Sequence, residues 1–585
     1  MAVRRQGKSG AAGRVARVMA GLLLAVPALA LAEVRVEVKG GTDALRDNVA
    51  AHVGTVSDDE FRAWRSTRQR LQESVRNALA AMGYYEATAR IEQKDGRVLI
   101  ELTPGEPVRL VRLELRFEGE AGNDIAFTAL RESLPLKKND VFHHGQYEAL
   151  KSAVQTLALD RGYFDGQWTQ AEVVVDPARR AASADLVYDS GARYRFGPAT
   201  FVGMDGQPQT LLRPGVLESL VPFTEGEPFE AARLIKLNKS LLDTRYFSQV
   251  RVRQLREEAG DGSVPVQVSI SGDKPNDLDI GIGYSTDVET RLSLAWRRPL
   301  INDRGHGIKA TTELSDVRRR FDATYSIPWK HPLDDVLQYI YGVQREVVDE
   351  VVTYNTVIGV QRQIQQDQGW KRTFSLRANR ESFRRPDGEE GKSDLVLPGF
   401  SLDRVRSRGG VDPHWGDRQF YQVEVASSEL LSDADFILLR AGFRFLRTLA
   451  DNHQFILRAD GGSILADDFS QVPLSMRFFA GGDQSVRGYD YKSLSPRDAE
   501  GIAIGARNLA TASAEYDYTF YPRWRVALFV DAGNAFDSLD EGIKTGAGTG
   551  IRWVSPVGPI RLDFAWSVSE PDPSFRVHFS MGASL

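Results

Sequence analysis

The residue types that usually carry chemistry are sparse in this 585-residue chain, and their spacing argues against catalysis. Cysteine is absent, which removes disulfides, thiolate zinc ligands and thiol nucleophiles together. The eight histidines are His52, His143, His144, His306, His331, His414, His453 and His578, and none falls in a His-Glu-x-x-His or other metal spacing. The adjacent rings of His143 and His144 point apart and read as a polar loop. Gly7-Lys8-Ser9 imitates the end of a phosphate loop but lacks its leading glycine, and no Gly-x-Ser-x-Gly is present. Gly546-Ala-Gly548 runs on into strand residues instead of opening a helix, as a dinucleotide loop would. The chain therefore reads as a non-enzyme, with no catalytic residue, cofactor or metal. A formal net charge of -5 supplies no basic field for nucleic acid.

What remains is a charge that could be structural. Gly481-Gly482 reads as a turn, and Val486-Arg487-Gly488-Tyr489 as the tip of a loop. An arginine there can enter an enclosed polar space and meet an inward carboxylate. Asp531, on a strand in Phe529-Val-Asp-Ala-Gly533, is the obvious acceptor. A solvated Arg487 and an ordinary interior Asp531 fit the spacing as well. Gly546, Gly548 and Gly550 fall on one strand face and form a stripe free of side chains, against which a loop could pack.

These residues need a β scaffold, and the second half of the chain supplies one. Asp277–Ser285 and Arg561–Ser569 alternate apolar and polar residues, as does Phe575 to Met581. A soluble sandwich would turn the apolar faces inward, and a transmembrane barrel would turn them toward lipid. The unbroken length from 276 to 585 suits a barrel of about 16 antiparallel strands, at ~10 residues per span plus loops.

The first half is of another kind. Basic residues precede an apolar stretch from Val18 that ends in Ala30-Leu-Ala32, a small-x-small pattern that predicts a signal peptide over 1–32. An uncleaved anchor is the alternative. Three amphipathic helices then end in similar aromatic signatures, Gly83-Tyr-Tyr85, Gly162-Tyr-Phe164 and Arg245-Tyr-Phe247, about eighty residues apart. Each sits in a β-α-α-β-β unit. The arginine in the third copy implies a helix end made differently from the two glycine ends. Tyr84, Tyr163 and Tyr246 are expected in the cores.

Taken together, these segments resemble the outer-membrane assembly superfamily that joins periplasmic POTRA domains to a 16-stranded barrel. Val486-Arg487-Gly488-Tyr489 is similar to that family's inward-folded loop. Phe529-x-Asp531-x-Gly533 is similar to the strand that receives its arginine, and the resemblance favours the Arg487–Asp531 pairing. Three repeats, with the match from Gly488 through Pro559 to the last strand, look most like the outer-membrane subunits of translocation and assembly modules. The resemblance implies POTRA domains at 33–107, 108–192 and 193–275 and a barrel at 276–585. It also implies residence in the bacterial outer membrane with the POTRA domains in the periplasm. The implied partners are unfolded outer-membrane clients, outer-membrane lipid and a TamB-like protein anchored in the inner membrane.

The expected activity is insertion of client β-barrels or autotransporters through a lateral gate between the first and last barrel strands. The gate residues would be Asp279, Gly281 and Gly283 with Phe575, Val577 and Phe579. A secretion channel of the two-partner type, or a lipid conduit, is the competing reading. The chain departs from many outer-membrane barrels in ending Gly582-Ala-Ser-Leu585, so Phe579 is left to carry the aromatic part of an assembly signal.

Overall fold

In the computed structural model the described residues are 33–272, 276–555 and 558–581. The expected leader over 1–32 and the C-terminal Gly582–Leu585 lie outside them.

The N-terminal unit holds two three-stranded sheets, each covered by helices. In the first, Arg97–Thr103 is central, parallel to Val36–Lys39 and antiparallel to Thr88–Lys94. Helices Asp43–Val53 and Trp64–Ala81 bury Leu45, Val49, Leu71, Val75 and Leu79, the i, i+4 stripe that the sequence spacing requires. In the second, Ala181–Asp189 is central, between Arg109–Glu118 and Gln167–Asp176. Its helices are Ile125–Glu132 and His144–Arg161. His143 and His144 do not form a loop. The His143 ring caps the second helix by accepting from the Gly145 N–H, and His144 meets the Tyr85 hydroxyl at 2.6 Å.

The core of this second unit turns on Asp124. Its side chain caps Ile125–Glu132 by accepting from the Ala126 N–H at 3.0 Å, and it also accepts from Arg161 Nε at 2.6 Å and the Tyr163 hydroxyl at 3.1 Å. Burial works to raise the Asp124 carboxyl, but the Ala126 N–H and the Arg161 guanidinium outweigh it and hold it below the usual range. Burial and the neighbouring Asp124 push the Tyr163 hydroxyl up to about 12.

A third α/β unit and the barrel follow. In this sheet Ser263–Ser271 is central, between Arg195–Gly203 and Gln249–Gln254. Gly83 and Gly162 take left-handed φ values of 89° and 85° after their helices, and Arg245 takes 59° at the equivalent place. The expectation of a different helix end is thus corrected. The same turn is made with a residue that carries a Cβ, at a cost of about 1–2 kcal/mol. Tyr246 beside it is buried, and its hydroxyl donates to the Gly305 carbonyl at 2.7 Å, in the connection between the second and third barrel strands.

Sixteen antiparallel strands close into a barrel. They are β1 Asp277–Ser285, β2 Glu289–Arg298, β3 Gly307–Leu314, β4 Arg318–His331, β5 Asp335–Val348 and β6 Val351–Gln365. Next come β7 Trp370–Arg384, β8 Glu390–Arg408, β9 Trp415–Ala426, β10 Phe436–Leu449 and β11 His453–Ala466. The last are β12 Asn508–Tyr521, β13 Trp524–Phe536, β14 Lys544–Ser555, β15 Gly558–Trp566 and β16 Phe575–Met581. The alternation read from sequence sorts as lipid outside and polar lumen inside. Leu278, Ile280, Ile282 and Tyr284 are exposed on the outer face of β1, and Leu395, Leu397, Phe436 and Leu438 point inward and are buried. Segment 467–507, between β11 and β12, is far longer than the other connections and folds back into the lumen. Replacing Asp124 with alanine removes the cap and strands Arg161. We expect a local loss of about 2 kcal/mol, read as roughly thirtyfold faster hydrogen exchange of the Ile125–Glu132 amides in the full chain.

Candidate functional site

The lumen loop is held by one buried cation. Arg487 is 2% exposed and is the largest fully buried side chain of the protein's described residues. Its Nε and Nη2 donate to the two Asp531 oxygens at 2.7 and 2.9 Å, and its backbone N–H donates to the same carboxylate at 3.0 Å. Nη1 donates to Glu515 at 2.7 Å and to Asp563 at 3.2 Å. The guanidinium lies 3.5 Å above the centre of the Phe529 ring. Arg552 closes the circuit, donating to Glu515 at 2.9 Å and pairing with Asp563 at 2.6 Å. Arg458 lies 3.8 Å from Asp531. Three arginines thus face three carboxylates contributed by β11 to β15. Burial opposes the charge on Arg487, yet the Asp531 hydrogen bonds and the Glu515 carboxylate more than offset it and raise its pKa.

The neighbours of Arg487 fix the tip. Val486 sits fully buried in the apolar cluster that the loop shares with Phe436, Leu438 and Ile464. The Gly488 N–H donates to His578 Nε2 at 3.0 Å, and the Tyr489 hydroxyl meets Ser569 Oγ at 2.8 Å. Gly488 has φ 96°, and a Cβ there would fall 2.9 Å from the Trp566 carbonyl carbon, so both conformation and space demand glycine. Gly533 lies opposite Thr511 and leaves room for the backbone of β12 rather than for Arg487.

The glycine stripe needs correction. A Cβ on Gly546 would lie 1.8 Å from the Arg487 carbonyl oxygen, so this glycine does receive the loop. Gly548 instead clears the Phe529 ring and the Phe564 carbonyl, and Gly550 clears Asp563 and Arg552. The loop tip reaches only one level of β14. The other two glycines make room for the side chains that serve Arg487 from the wall.

The second feature is the seam. β1 pairs with β2 along its whole length, and among the described residues its register with β16 is Ser285 opposite Ser580. One further backbone bond runs from the Thr286 N–H to the Phe579 carbonyl at 3.1 Å, and the Tyr284 and Phe579 rings lie 5.8 Å apart. Antiparallel register counts up one strand as it counts down the other, so Phe575 and Val577 do not lie across from Asp279, Gly281 and Gly283. The six expected gate residues thus lie on the first and last strands without facing one another in register. Among the described residues, no strand pairs with the seam-facing edge of β1 from Asp277 to Tyr284.

A polar latch sits at the outer end of the seam. Asp287, in the turn after β1, accepts from the Asp483 N–H of the loop at 2.6 Å and lies 3.9 Å from His578 Nδ1 on β16. Burial, with the Asp483 carboxyl beside it, pushes the Asp287 carboxyl up to about 8. Glu515, Asp563, His578 and Asp287 were not singled out from sequence. Their only signal is a charged residue at an inward position of an alternating strand, or at a turn beside one.

The geometry agrees with comparison to known proteins. The model of the Omp85 superfamily domain matches residues 275–585, more than half of the chain. The chain belongs to the Omp85 superfamily. The model of POTRA domain TamA domain 1 matches residues 35–104. The outer membrane protein assembly factor BamA of Nitratidesulfovibrio vulgaris is 25% identical over 86% of this chain and 66% of its own length. BamA of Neisseria meningitidis serogroup B is 24% identical over 20% of this chain and 19% of its own. The chain thus spans less than two thirds of the curated relatives it matches. The crystal structure of BamA from Haemophilus ducreyi lacking POTRA domains 1-3 superposes with a TM-score of 0.66 at 14% identity. It covers 81% of this chain and 99% of that one, and it shares the fold. The barrel belongs in the outer membrane and the POTRA region in the periplasm.

Two outcomes are expected at this site. Arg487→Ala leaves a buried carboxylate cluster unbalanced and should cost about 3–5 kcal/mol, read as a lowered heat-modifiability midpoint and protease cleavage within 467–507. Arg487→Lys keeps the charge but not the fork and should fall between. For Asp287 the folded pKa lies above the unfolded one. Its contribution is therefore complete below about 4 and is lost as pH rises toward about 8. The protection factor of the Asp483 amide, after division by the intrinsic pH-dependent exchange rate, should fall across that window in the wild type and stay constant in Asp287→Asn.

Proposed function

We propose that this chain is an outer-membrane assembly factor of the TamA type. On this reading it inserts and folds client β-barrel or autotransporter proteins, with a TamB-like, inner-membrane-anchored protein as partner and no enzymatic step. The observation that carries it is the seam. A closed barrel normally satisfies every strand edge, and each backbone group left unpaired in lipid costs several kcal/mol. A β1 edge that, among the described residues, meets β16 at a single registered pair is the place proposed for parting the wall. An incoming client strand would add to that edge by main-chain hydrogen bonding, consuming no nucleotide.

The loop supports insertion over passive conduction. A segment anchored by Arg487 occupies the lumen, whereas the seam opens sideways toward lipid. Of the six gate residues expected from sequence, Asp279, Gly281 and Gly283 would form the receiving edge. Phe575, Val577 and Phe579 would form the departing strand. The units at 108–192 and 193–275 are proposed as further POTRA domains, whose sheet edges would hold clients or the partner.

Because the chain has no cysteine, a pair introduced at Ser285→Cys and Ser580→Cys would be the only thiols present. Residues directly opposite on antiparallel strands have Cα atoms about 4.5–5.5 Å apart, within disulfide reach. Oxidation should abolish folding of an autotransporter client, followed by its heat-modifiable migration, and a reductant should restore it. Undiminished client folding in fully cross-linked protein would overturn the gate.

A further inference from the structure

The outer wall carries an arrangement that neither loop nor seam uses. At one end of β7 to β10 the outward positions stop being aliphatic. Phe374 and Tyr421 are exposed to lipid there, about half accessible each. The next outward residues toward the strand ends are Arg372, Arg404, Arg406, Arg408 and Arg447, set among Trp370, Trp415 and Phe445. This end is the periplasmic one, because it shares its side with the turn whose Gly305 accepts from Tyr246 of the third α/β unit.

The arginines are held in place. Arg404 stacks 4.6 Å from the centre of Trp370. Arg447 lies 4.3 Å from Trp415 and 3.9 Å from Phe445, and Arg408 lies 5.1 Å from Trp415. One carboxylate sits beneath them. Asp417, 3% exposed at its side chain, takes a two-pronged pair from Arg406, with Arg404 at 3.7 Å and Arg447 at 3.9 Å. The one acidic residue of the adjoining turn, Asp412, is engaged by Arg525. Arg372 and Arg408 pair with no carboxylate among the described residues, and Arg404 Nε is buried without a hydrogen-bond partner. Three guanidiniums thus crowd one acid on a lipid-facing wall, and Arg372 and Arg408 share that outward face. Stacking on Trp370 and Trp415 holds Arg404, Arg406, Arg408 and Arg447 on the outer side.

We infer that this face binds the phosphate headgroup of an anionic phospholipid in the periplasmic leaflet. The planar forks match phosphate oxygens, the tryptophans sit at headgroup depth, and the aliphatic wall above accepts the acyl chains. Lipopolysaccharide phosphates belong to the other leaflet, at the opposite ends of these strands. The site faces away from the seam. β8 and β9 are the eighth and ninth of sixteen strands, diametrically across the barrel from where β16 meets β1. The inference therefore does not depend on the gate.

The test is native mass spectrometry of the full chain released from nanodiscs of phosphatidylglycerol and phosphatidylcholine. The wild type should retain phosphatidylglycerol selectively and release it as salt rises. Changing Arg404, Arg406 and Arg447 together to glutamine should weaken retention roughly a hundredfold, at about a tenfold loss or less per arginine near a membrane surface. Arg380→Gln with Arg384→Gln, on the outward face at the other end of β7, should leave retention unchanged. Equal retention of both lipids by the wild type would overturn the inference. So would undiminished phosphatidylglycerol binding in a triple variant that shows normal heat-modifiable migration, or loss confined to added lipid A. If the triple variant fails to fold, the wild-type selectivity and its salt dependence decide alone.

Discussion

A charge cannot be left alone inside this barrel. Strands β12, β13 and β15 present Glu515, Asp531 and Asp563 close together in the lumen wall, and Arg487, arriving on a loop that begins outside, is the cation that meets all three. Arg552 and Arg458 balance part of the field, but neither reaches Asp531 with a fork. Buried ion networks of this kind contribute little net stability compared with an apolar core, because desolvation consumes most of the Coulombic gain. What they provide is specificity. Any other placement of 467–507 leaves Asp531 without its two-pronged partner and removes one cation from Glu515 and Asp563. The glycines at 488 and 546 follow from the same demand, since the loop backbone must approach the wall more closely than a Cβ permits.

This fastening makes the wall uneven. Strands β12 to β15 are cross-braced by the loop, and β16 joins them through His578, which accepts from the Gly488 N–H. Among the described residues β1 has no such brace. Its contacts with the loop and β16 gather at its outer end, around Ser285, Thr286 and Asp287. Gly281 and Gly283 on its inner face contribute no side-chain packing. The two sides of the seam therefore differ in kind. One is tied to the loop, and the other, among the described residues, pairs with β2 along its length and meets the loop and β16 at its outer end.

How much of this was legible beforehand depended on whether a feature is local. Period-two alternation assigned inner and outer faces along Asp277–Ser285 and Phe575–Met581, because the side-chain period of a strand is a property of the chain itself. Val486-Arg487-Gly488-Tyr489 and Phe529-x-Asp531 stood out as residue patterns. The partners Glu515 and Asp563 did not, because their meeting with Arg487 depends on the stagger of strands far apart in sequence. The same limit explains the gate. Alternation says that Gly281 and Val577 lie on particular faces, but not that Ser580 rather than Phe575 stands opposite Ser285. Arg245 shows the converse, a local rule overruled. Its φ of 59° is set by the chain having to enter the following strand, and the residue tolerates the strain.

The outer face completes the mechanical picture. On the proposed reading, a barrel that parts at one seam gains from being held on the opposite side. Stacked arginines on β7 to β10 sit as far from the seam as the circumference allows, at the depth where phosphates are densest. Fixed cations there resist both rotation and vertical slip, because either would draw a guanidinium into hydrocarbon or strip it from its counter-ion. Were that side held by lipid as inferred, loosening of the Asp287 contact would favour lateral displacement of β1 over tilting of the whole cylinder. The loop, the seam and the basic wall are then three parts of one constraint, in which unpaired charge sets what stays still and unpaired backbone sets what moves.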